Sequence, residues 1–253
     1  MDIRAYNRKA WNSEVERGSP WTIPVSHEII EAARRDEWSV GLTEQKRVPR
    51  EWFPPMQGLD LLALACGGGQ QSPIFAAAGA NVTVLDNSPR QLDRDREVAE
   101  REGLHIKLVE GDMRDLSAFT DESFDLIFHP ISNTFVPEVR LVWKEAFRVL
   151  CRGGSMLAGM MNPIFYLFDI DKADQGILEV THKLPYADSE NPEIMKKMRK
   201  KNLPLEHSHS LDDQLGGQMD AGFHLIGLYE SHQNGIIISE YTPTYIATRA
   251  LKP

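Results

Sequence analysis

From Leu59 onward, the chain alternates short apolar runs, several of them rich in β-branched residues, with longer amphipathic runs. The first four apolar runs are LDLLALAC, NVTVLDNS, IKLVEGD and FDLIFHP, and they begin at residues 59, 81, 106 and 124. Strands and helices that alternate at this spacing form right-handed βαβ units, which place the strands side by side in parallel. The alternation therefore predicts an α/β fold with a Rossmann-like, doubly wound sheet.

Helix-start and helix-stop residues separate these runs. Ser72-Pro73 and Ser88-Pro89 each put a capping residue before a proline, the order typical of helix N-termini. The helix that follows Pro89 is predicted to stop at Gly103, and the helix before the fifth strand at Gly153-Gly154.

The rhythm changes at both sides of this region. Residues 1–57 resemble helical pieces broken by prolines and predict an N-terminal helical cap or lid, ahead of an α/β domain at 58–253. A fifth strand is predicted at 154–161. After it, residues from about 162 to 208 mix aromatics and turns, which predicts an insertion lying over the edge of the sheet.

Order returns at Ser210, which is predicted to cap a helix. The apolar residues of that helix recur at four-residue spacing, at Leu211, Leu215 and Met219. Two more apolar runs follow at 223–231 and 242–251, and a loop rather than a helix joins them. We therefore predict a seven-stranded, mostly parallel sheet whose last strand is antiparallel.

The bulk composition narrows the classes of function. A formal net charge of −9 disfavours nucleic acid as the main partner. The two cysteines make no disulfide framework, which suits a reducing compartment, and the N-terminus has no apolar signal core. No apolar stretch reaches the roughly 18 residues that a membrane span needs. We expect a cytoplasmic monomer or homodimer with a small-molecule partner and no membrane span.

The run LALACGGGQQS, at residues 62–72, passes from a predicted strand through three glycines into a predicted helix. Such a turn usually serves a ligand at the N-terminus of the helix. The dinucleotide pattern requires glycine or alanine at its third position, where this chain has Ser72. The tighter pattern Ala65-x-Gly67-x-Gly69 fits instead.

With these features the chain resembles the class I S-adenosylmethionine-dependent methyltransferases, in particular the small-molecule, type 11 group typified by quinone-biosynthesis enzymes. The resemblance covers residues 58–162 and the final helix with its antiparallel strand pair. It implies S-adenosylmethionine as cofactor and S-adenosylhomocysteine as product. It also implies that the loop backbone passes the methionyl part of the cofactor. The loop residues concerned are Ala65, Cys66, Gly67, Gly68 and Gly69.

Further residues match the family one by one. Asp86 ends the second strand, where the family has an acid that binds the ribose hydroxyls, and Asn87 and Gln91 follow beside the adenosine. Asp112 resembles the acid that receives the adenine amino group, with Met113 against the ring.

The segment after the fourth strand is expected beside the reacting sulfonium, and it contributes His129, Pro130 and Asn133. His129 is the candidate general base, because an unperturbed imidazole titrates near pH 6.5. The alternative is a polar residue that lines the cleft without moving a proton. The sequence His129-Pro130-Ile131-Ser132 also differs from the Asn/Asp-Pro-Pro-aromatic signature of the nucleobase-methylating branch.

One position departs from the family. An acid normally lies in the first strand two residues before the first loop glycine, and here that position is Ala63, while Ala65 replaces the glycine itself. In the family, the acid orders the loop and helps to hold the ammonium group of the cofactor. Two alternatives are open for the present chain: backbone carbonyls or an N-terminal residue replace the acid, or the change is a lesion that abolishes cofactor binding.

Three aromatic residues of the cap are candidates for a lid over the cofactor or acceptor: Tyr6, Trp11 and Trp21. Packing within the cap is the alternative. The histidines His182, His207 and His209 could suggest a metal, but we expect a solvated loop and no metal site. The basic run at 196–201 is interpreted as the solvent face of a short helix, with attraction of an anionic substrate as the alternative.

The predicted function is methyl transfer from S-adenosylmethionine to a small-molecule acceptor, whose specificity should reside in residues 1–57 and 162–208. Two alternatives remain open at this point. One is a nicotinamide-dependent oxidoreductase on a related sheet, and the other is a catalytically silent cofactor-binding scaffold or sensor, suggested by Ala63 and Ala65.

Overall fold

A computed structural model describes all residues, 1–253, and shows a single seven-stranded sheet in the order β3-β2-β1-β4-β5-β7-β6. Strands β1 to β5 run parallel, and β7 lies antiparallel between β5 and β6. The predicted sheet is therefore confirmed, including its antiparallel last strand. The strands are β1 Asp60–Leu64, β2 Asn81–Asp86, β3 Ile106–Glu110, β4 Phe124–His129, β5 Leu150–Met161, β6 His224–Ser231 and β7 Tyr245–Leu251.

Helices cover both faces of the sheet and extend beyond its carboxyl edge. They are α1 Ile3–Arg17, α2 His27–Arg34, α3 Gln71–Ala77, α4 Pro89–Glu102, α5 Val139–Val149, α6 Ile170–Ala173, α7 Pro192–Lys201 and α8 Gly217–Asp220. Short 3-10 turns include Asn133–Phe135 after β4, Pro163–Leu167 after β5 and Asp188–Glu190 before α7. None of the helices is long and apolar enough to cross a membrane.

The core has two halves because alternate residues of each strand point to opposite faces. In β1, Leu62 and Leu64 join one half, which α5 covers with the fully buried Trp143. Leu61 and Ala63 join the other half with Phe75 of α3. This two-sided burial explains why the strand sequences are nearly continuous apolar runs rather than alternating ones.

Two of the predicted helix boundaries are wrong. Helix α3 starts at Gln71, so Ser72 lies inside its first turn and does not cap it. Helix α5 ends at Val149 and the chain enters β5 at once, so Gly153-Gly154 lies within that strand. By contrast, the Ser88 hydroxyl accepts the Gln91 N–H as predicted.

The helix after Ser210 is also different from the prediction. A π-helical turn at Asp212–Gly216 precedes the short α8, and of the predicted apolar stripe only Leu215 packs against the core. Leu211 and Met219 are consequently 47% and 54% exposed. The buried positions belong instead to Gln214 and Gln218. The Gln218 amide donates to the Gln214 carbonyl and accepts the Thr248 hydroxyl of β7, and the Gln214 amide donates to the Asn133 side chain.

The cap and the insertion meet over the carboxyl edge of the sheet. Helix α1 packs against α4, and its residue Asn7 bonds to the backbone of the insertion. The predicted insertion contains α6 and α7, and its aromatic residues form a small separate core with the β6–β7 loop. The basic run at 196–201 lies on the C-terminal half of α7, in agreement with the expected short helix. The division of the chain at residue 57 stays a prediction.

Candidate functional site

A cavity of about 480 Å³ lies at the carboxyl ends of β1, β2 and β4. This is the position at which open α/β sheets bind ligands, and the volume is in the range of small-molecule sites. One wall is built from the glycine loop and the strand ends. The opposite wall comes from α1, residues 41–47, the insertion and the start of β7. The predicted site residues that line it are Trp11, Trp21, Ala65, Cys66, Gly67, Asp86, Asn87, Gln91, Asp112, Met113 and Pro130.

The glycine loop turns sharply at Ala65, Gly67 and Gly69, whose φ angles are +52°, +72° and +72°. Of the three glycines, only Gly67 lines the cavity, so the cofactor contact expected of Gly68 and Gly69 stays a prediction. A Cβ at Gly68 would lie 2.2 Å from the Gln91 carbonyl oxygen, and one at Gly69 would lie 3.0 Å from that of Arg94. These two glycines therefore let the loop pack tightly against α4.

Two side chains of α4 hold this loop. The Gly68 N–H donates to Oε1 of Gln91 at 2.8 Å, and the Gly69 N–H donates to Oδ1 of Asp95 at 3.0 Å. Asp95 is 1% exposed, and burial raises the pKa of its carboxyl to about 8. The loop-ordering acid missing at Ala63 is thus supplied from a neighbouring helix. Sequence reasoning missed Asp95, although a polar pair four residues apart, on a helix that must pack on the sheet, was a usable signal.

At the end of β2, Asp86 faces the cavity and accepts the Ser88 N–H through Oδ1 at 2.7 Å. Burial raises the pKa of this carboxyl to about 7. The next residue, Asn87, exchanges two hydrogen bonds with Arg4 of α1, one to the guanidinium and one to the backbone carbonyl. The β2 end is therefore directly attached to the cap.

The carboxylate of Asp112, after β3, is paired with Arg114 at 2.8 Å and lies 3.9 Å from Arg4. Burial acts to raise the pKa of Asp112, but the hydrogen bonds and charge of Arg114 outweigh it and hold that pKa below its usual value. Met113 lies beside it, 8% exposed, on the cavity wall. The group is thus ionised at neutral pH and keeps a fixed orientation.

His129, the candidate base, is fully buried and does not line the cavity. Its Nδ1 donates to the Leu64 carbonyl at 2.8 Å, its ring lies edge-on to Trp143, and Nε2 is sealed from solvent with no partner. Burial lowers the pKa of the imidazole to about 4. The predicted place of His129 beside the sulfonium is therefore wrong, since neither nitrogen can meet a ligand.

Asn133 is also fully buried and outside the cavity lining, which corrects its predicted role. Its amide donates to the Gly159 carbonyl at 2.9 Å and so ties the turn after β4 to β5. The residues of that turn that do face the cavity include Pro130, Ser132 and Thr134.

Two of the three candidate lid aromatics line the cavity. Trp11 packs edge-on against Phe135, with 5.1 Å between the ring centroids. The backbone carbonyl of Trp21 lies close to Gly67: a Cβ added at Gly67 would be 3.0 Å from that carbonyl oxygen. Tyr6 does not line the cavity, so its role as a lid residue stays a prediction. Helix α1 forms the roof of the cavity, and its residue Asn7 holds it in place. The Asn7 amide donates to the Phe135 and Leu205 carbonyls at 2.9 and 3.0 Å.

The wall opposite the strand ends carries residues that sequence reasoning did not single out. Met161, Phe165 and Tyr245 give it an apolar surface, and the carboxylates of Glu44 and Glu206 also face the cavity. The general expectation that residues 1–57 and 162–208 set specificity covers Glu44, Phe165 and Glu206, but not Met161 or Tyr245.

His207 and His209 are buried rather than solvated, at 7% and 6% exposure, so the expected solvated loop is wrong there. Burial lowers the pKa of both imidazoles. His209 bonds to the Asn133 carbonyl and helps to dock the end of the insertion onto the turn after β4. No cluster of three or more potential metal ligands is present in the structure.

Comparison with known proteins identifies the family. A family model described as a methyltransferase domain matches residues 62–158. The chain is 51% identical over 250 residues to a protein of Bacillus subtilis strain 168 named uncharacterized methyltransferase YbaJ, and the match covers 98% of each chain. The chain belongs to the S-adenosylmethionine-dependent methyltransferases. The resemblance inferred from residues 58–162 is thereby confirmed, as is S-adenosylmethionine as cofactor, in preference to a nicotinamide.

Other matches are shorter or more distant. A sterol 24-C-methyltransferase of Aspergillus fumigatus is 40% identical over 101 residues, which are 39% of this chain and only 26% of that protein. An S-adenosylmethionine-dependent methyltransferase of Mesorhizobium loti superposes with a TM-score of 0.61 at 20% identity, covering 79% of this chain and 94% of the other. At that identity, the structural match shows the shared fold.

Proposed function

We propose that this methyltransferase moves the methyl group from S-adenosylmethionine to a small organic acceptor bound in the same cavity. The observation that carries the proposal is the two-sided lining: the glycine loop and strand ends form one wall, and residues of the insertion and β7 form the other. A cofactor on the first wall would present its methyl group to an acceptor on the second.

The residues present fit the cofactor at three points. Gly67 leaves the loop backbone bare on the cavity side, and Asp86 offers a carboxylate oxygen to ribose hydroxyls. Gln71 lines the cavity, and its Oε1 is sealed without a hydrogen-bond partner. Since an unpartnered acceptor is costly and Gln71 lines the cavity, we assign its side chain to the ammonium group of the cofactor, in place of the acid missing at Ala63; the side chain would meet that group by turning Oε1 toward the cavity.

The adenine end would lie between Met113 and Asp112. A carboxylate has about four acceptor positions, and Arg114 supplies three N–H groups to Asp112. These three groups make four contacts, because Nε of Arg114 is shared between Oδ1 and Oδ2, so the adenine amino group would replace one of the two shared contacts. Arg4 and Asn87 would close this end, because their mutual hydrogen bonds join α1 to the β2 end.

The acceptor half favours a molecule with an apolar body, because Met161, Phe165 and Tyr245 line it. The relative named for sterols supports an acceptor of this general kind. When bound, the cofactor supplies an electrophilic methyl group on a sulfonium. The chain contributes alignment of the acceptor with the methyl carbon and exclusion of water by the α1 roof.

The test is calorimetric titration with S-adenosylhomocysteine. Asp86→Ala should weaken binding by about 1–3 kcal/mol, the usual effect of removing one partner of a buried polar contact. Asp93→Ala, on the α4 surface, is the matched control and should bind as the wild type does. Unchanged affinity in folded Asp86→Ala would refute the residue assignment, and absence of binding by the wild type would refute the proposed function.

A further inference from the structure

Glu206 lies at the end of the insertion and faces the cavity from the acceptor wall. None of the ion pairs in the structure includes it, in contrast to Asp112, which is paired with Arg114. A carboxylate that is removed from bulk water without a cation is unfavourable as a structural element. Such a group in a cleft is a candidate for proton chemistry.

The carboxylate is held at one oxygen and free at the other. Tyr166 bonds to Oε2 at 2.8 Å, and the Glu206 backbone N–H donates to Asp188 at 2.8 Å. The Tyr166 ring is itself stacked on Tyr186, with centroids 5.6 Å apart. Oε1 has no hydrogen-bond partner in the chain and is not one of the sealed polar atoms, so it is available to a molecule in the cavity.

A short hydrogen-bond chain connects Glu206 to the turn after β4. It runs from Oε2 through the Tyr166 hydroxyl to the Thr134 hydroxyl, which also reaches the His207 carbonyl at 3.1 Å. When Glu206 is ionised, Tyr166 donates to it and Thr134 donates to Tyr166. When Glu206 carries a proton, it can donate to Tyr166, Tyr166 to Thr134, and Thr134 to the carbonyl. The hydroxyls thus rotate to accommodate either protonation state without moving a heavy atom.

We infer that Glu206 is the proton acceptor of the transfer reaction, an inference that rests on the proposed function. The nucleophilic atom of the acceptor forms a bond to the methyl carbon, and the carbon–sulfur bond breaks with its electron pair left on sulfur. The proton carried by the nucleophilic atom passes to Oε1, which turns the carboxylate into a carboxylic acid. Charge and atoms balance, and the product dissociates as a neutral thioether and a methylated acceptor.

The inference narrows the acceptor class. A hydroxyl, a thiol or a protonated nitrogen must lose a proton to be methylated as a neutral product, and Glu206 would remove it. A tertiary amine has no such proton and would be a poor match for this wall. The acceptor therefore carries a weakly acidic O–H, S–H or N–H group on an apolar body.

The surroundings of Glu206 agree with proton transfer near neutral pH. The ionisable groups that face it are Tyr166, Tyr186, Asp188 and Tyr245, and Glu44 approaches the Tyr245 hydroxyl. Burial first, and then the negative charge of Asp188, raise the pKa of Glu206 to about 7, against the smaller opposing effect of Tyr166. A base with a pKa near the working pH is the most effective one.

The deciding experiment is a carbon-13 NMR titration of the full chain labelled at the glutamate carboxyl carbon, with Glu206→Gln to assign the signal. We expect the Glu206 signal to titrate with a midpoint near pH 7, and the midpoint to rise in Tyr166→Phe, because the hydroxyl stabilises the ionised form. A midpoint near the ordinary value of about 4.3 would overturn the inference.

A kinetic arm uses phenol, thiophenol and benzylamine as acceptor probes with methyl-labelled S-adenosylmethionine. Glu206→Gln should lower turnover of the best probe at least about 100-fold and remove the fall in rate below pH 7, while leaving S-adenosylhomocysteine affinity within about twofold. Glu240→Gln, exposed in the β6–β7 loop, is the control. Turnover and pH profile of Glu206→Gln equal to those of the wild type would overturn the inference alone, whereas absence of S-adenosylhomocysteine binding by the wild type would overturn the proposed function and the inference with it.

Discussion

At the scale of single residues, exposure to the cavity separates the groups that can react from those that cannot. The His129 imidazole bonds to the Leu64 carbonyl and packs against Trp143, so it stays neutral and contributes to the core. Glu206 is held equally well at one oxygen, but its other oxygen remains available. Both are titratable side chains near the end of the sheet, and burial gives them opposite roles.

We predict that His129→Ala lowers the free energy of unfolding by about 2–4 kcal/mol. The substitution leaves a cavity beside Trp143 and an unpaired Leu64 carbonyl. Urea denaturation measures the loss, and calorimetry should show normal S-adenosylhomocysteine affinity for the folded fraction. A His129→Ala variant as stable as the wild type but unable to transfer methyl groups would contradict this prediction and support His129 as the general base.

At the scale of elements, helix α4 shapes the glycine loop from outside. Gln91 and Asp95, one turn apart, receive the N–H groups of Gly68 and Gly69, and the two glycines allow the close approach. This contact depends on the α4 side chains as much as on the loop sequence. The replacement of the family acid by Ala63 therefore does not leave the loop without an ordering carboxyl group.

Substitutions at Asp95 test this arrangement. Asp95→Ala should lower the free energy of unfolding by about 1–3 kcal/mol, because the Gly69 N–H loses its buried acceptor. Asp95→Asn keeps an acceptor and has no charge to bury, so at pH 9 it should be as stable as the wild type or more stable. Chemical denaturation with Asp93→Asn as control measures both. An Asn variant as unstable as the Ala variant would show that the negative charge is needed.

At the scale of the whole molecule, the cap, the sheet edge and the insertion enclose one cavity, and several carboxyls are buried there. Burial raises the pKa of Asp86 to about 7, of Asp95 to about 8 and of Glu206 to about 7. The unfolded chain releases these protons near pH 4, so the folded state binds more protons from there up to about pH 8. Stability contributed by this difference is lost as pH rises through the folded pKa values.

The free energy of unfolding should therefore fall by an amount on the order of 1–4 kcal/mol between pH 6.5 and 8.5. Below pH 6.5, two histidines oppose this fall in stability with rising pH. Burial lowers the pKa of His129 and of His207 to about 4, so these imidazoles bind protons in the unfolded chain but not in the folded one. Thermal melts across this range, with Asp95→Asn as a variant expected to flatten the curve, measure the effect. Stability that rises from pH 6.5 to 8.5 would contradict the assigned ionisation states.

Much of the site could be predicted because strand ends and turns are local features. Asp86, Asp112 and Gly67 lie in the cavity wall as expected, since each follows directly from where a strand ends. Gly69 and His129 do not line the cavity, although each lies within two positions of a residue that does. Neighbouring residues at a strand end or turn can point in different directions, and these two are packed inside the protein. A pattern of apolar residues does not show which of two neighbouring residues at a strand end will face the cavity.

By itself, the sequence determined the parallel sheet, its antiparallel last strand, the family and the edge of the sheet at which the cavity lies. Apolar periodicity, helix punctuation and turn residues act over a few positions and are visible in one dimension. The tertiary structure alone decided that Asp95 orders the loop, that His129 is sealed and that Glu206 faces the cavity. These facts depend on contacts between segments far apart in the chain, where packing decides which side chains remain accessible and at what pKa.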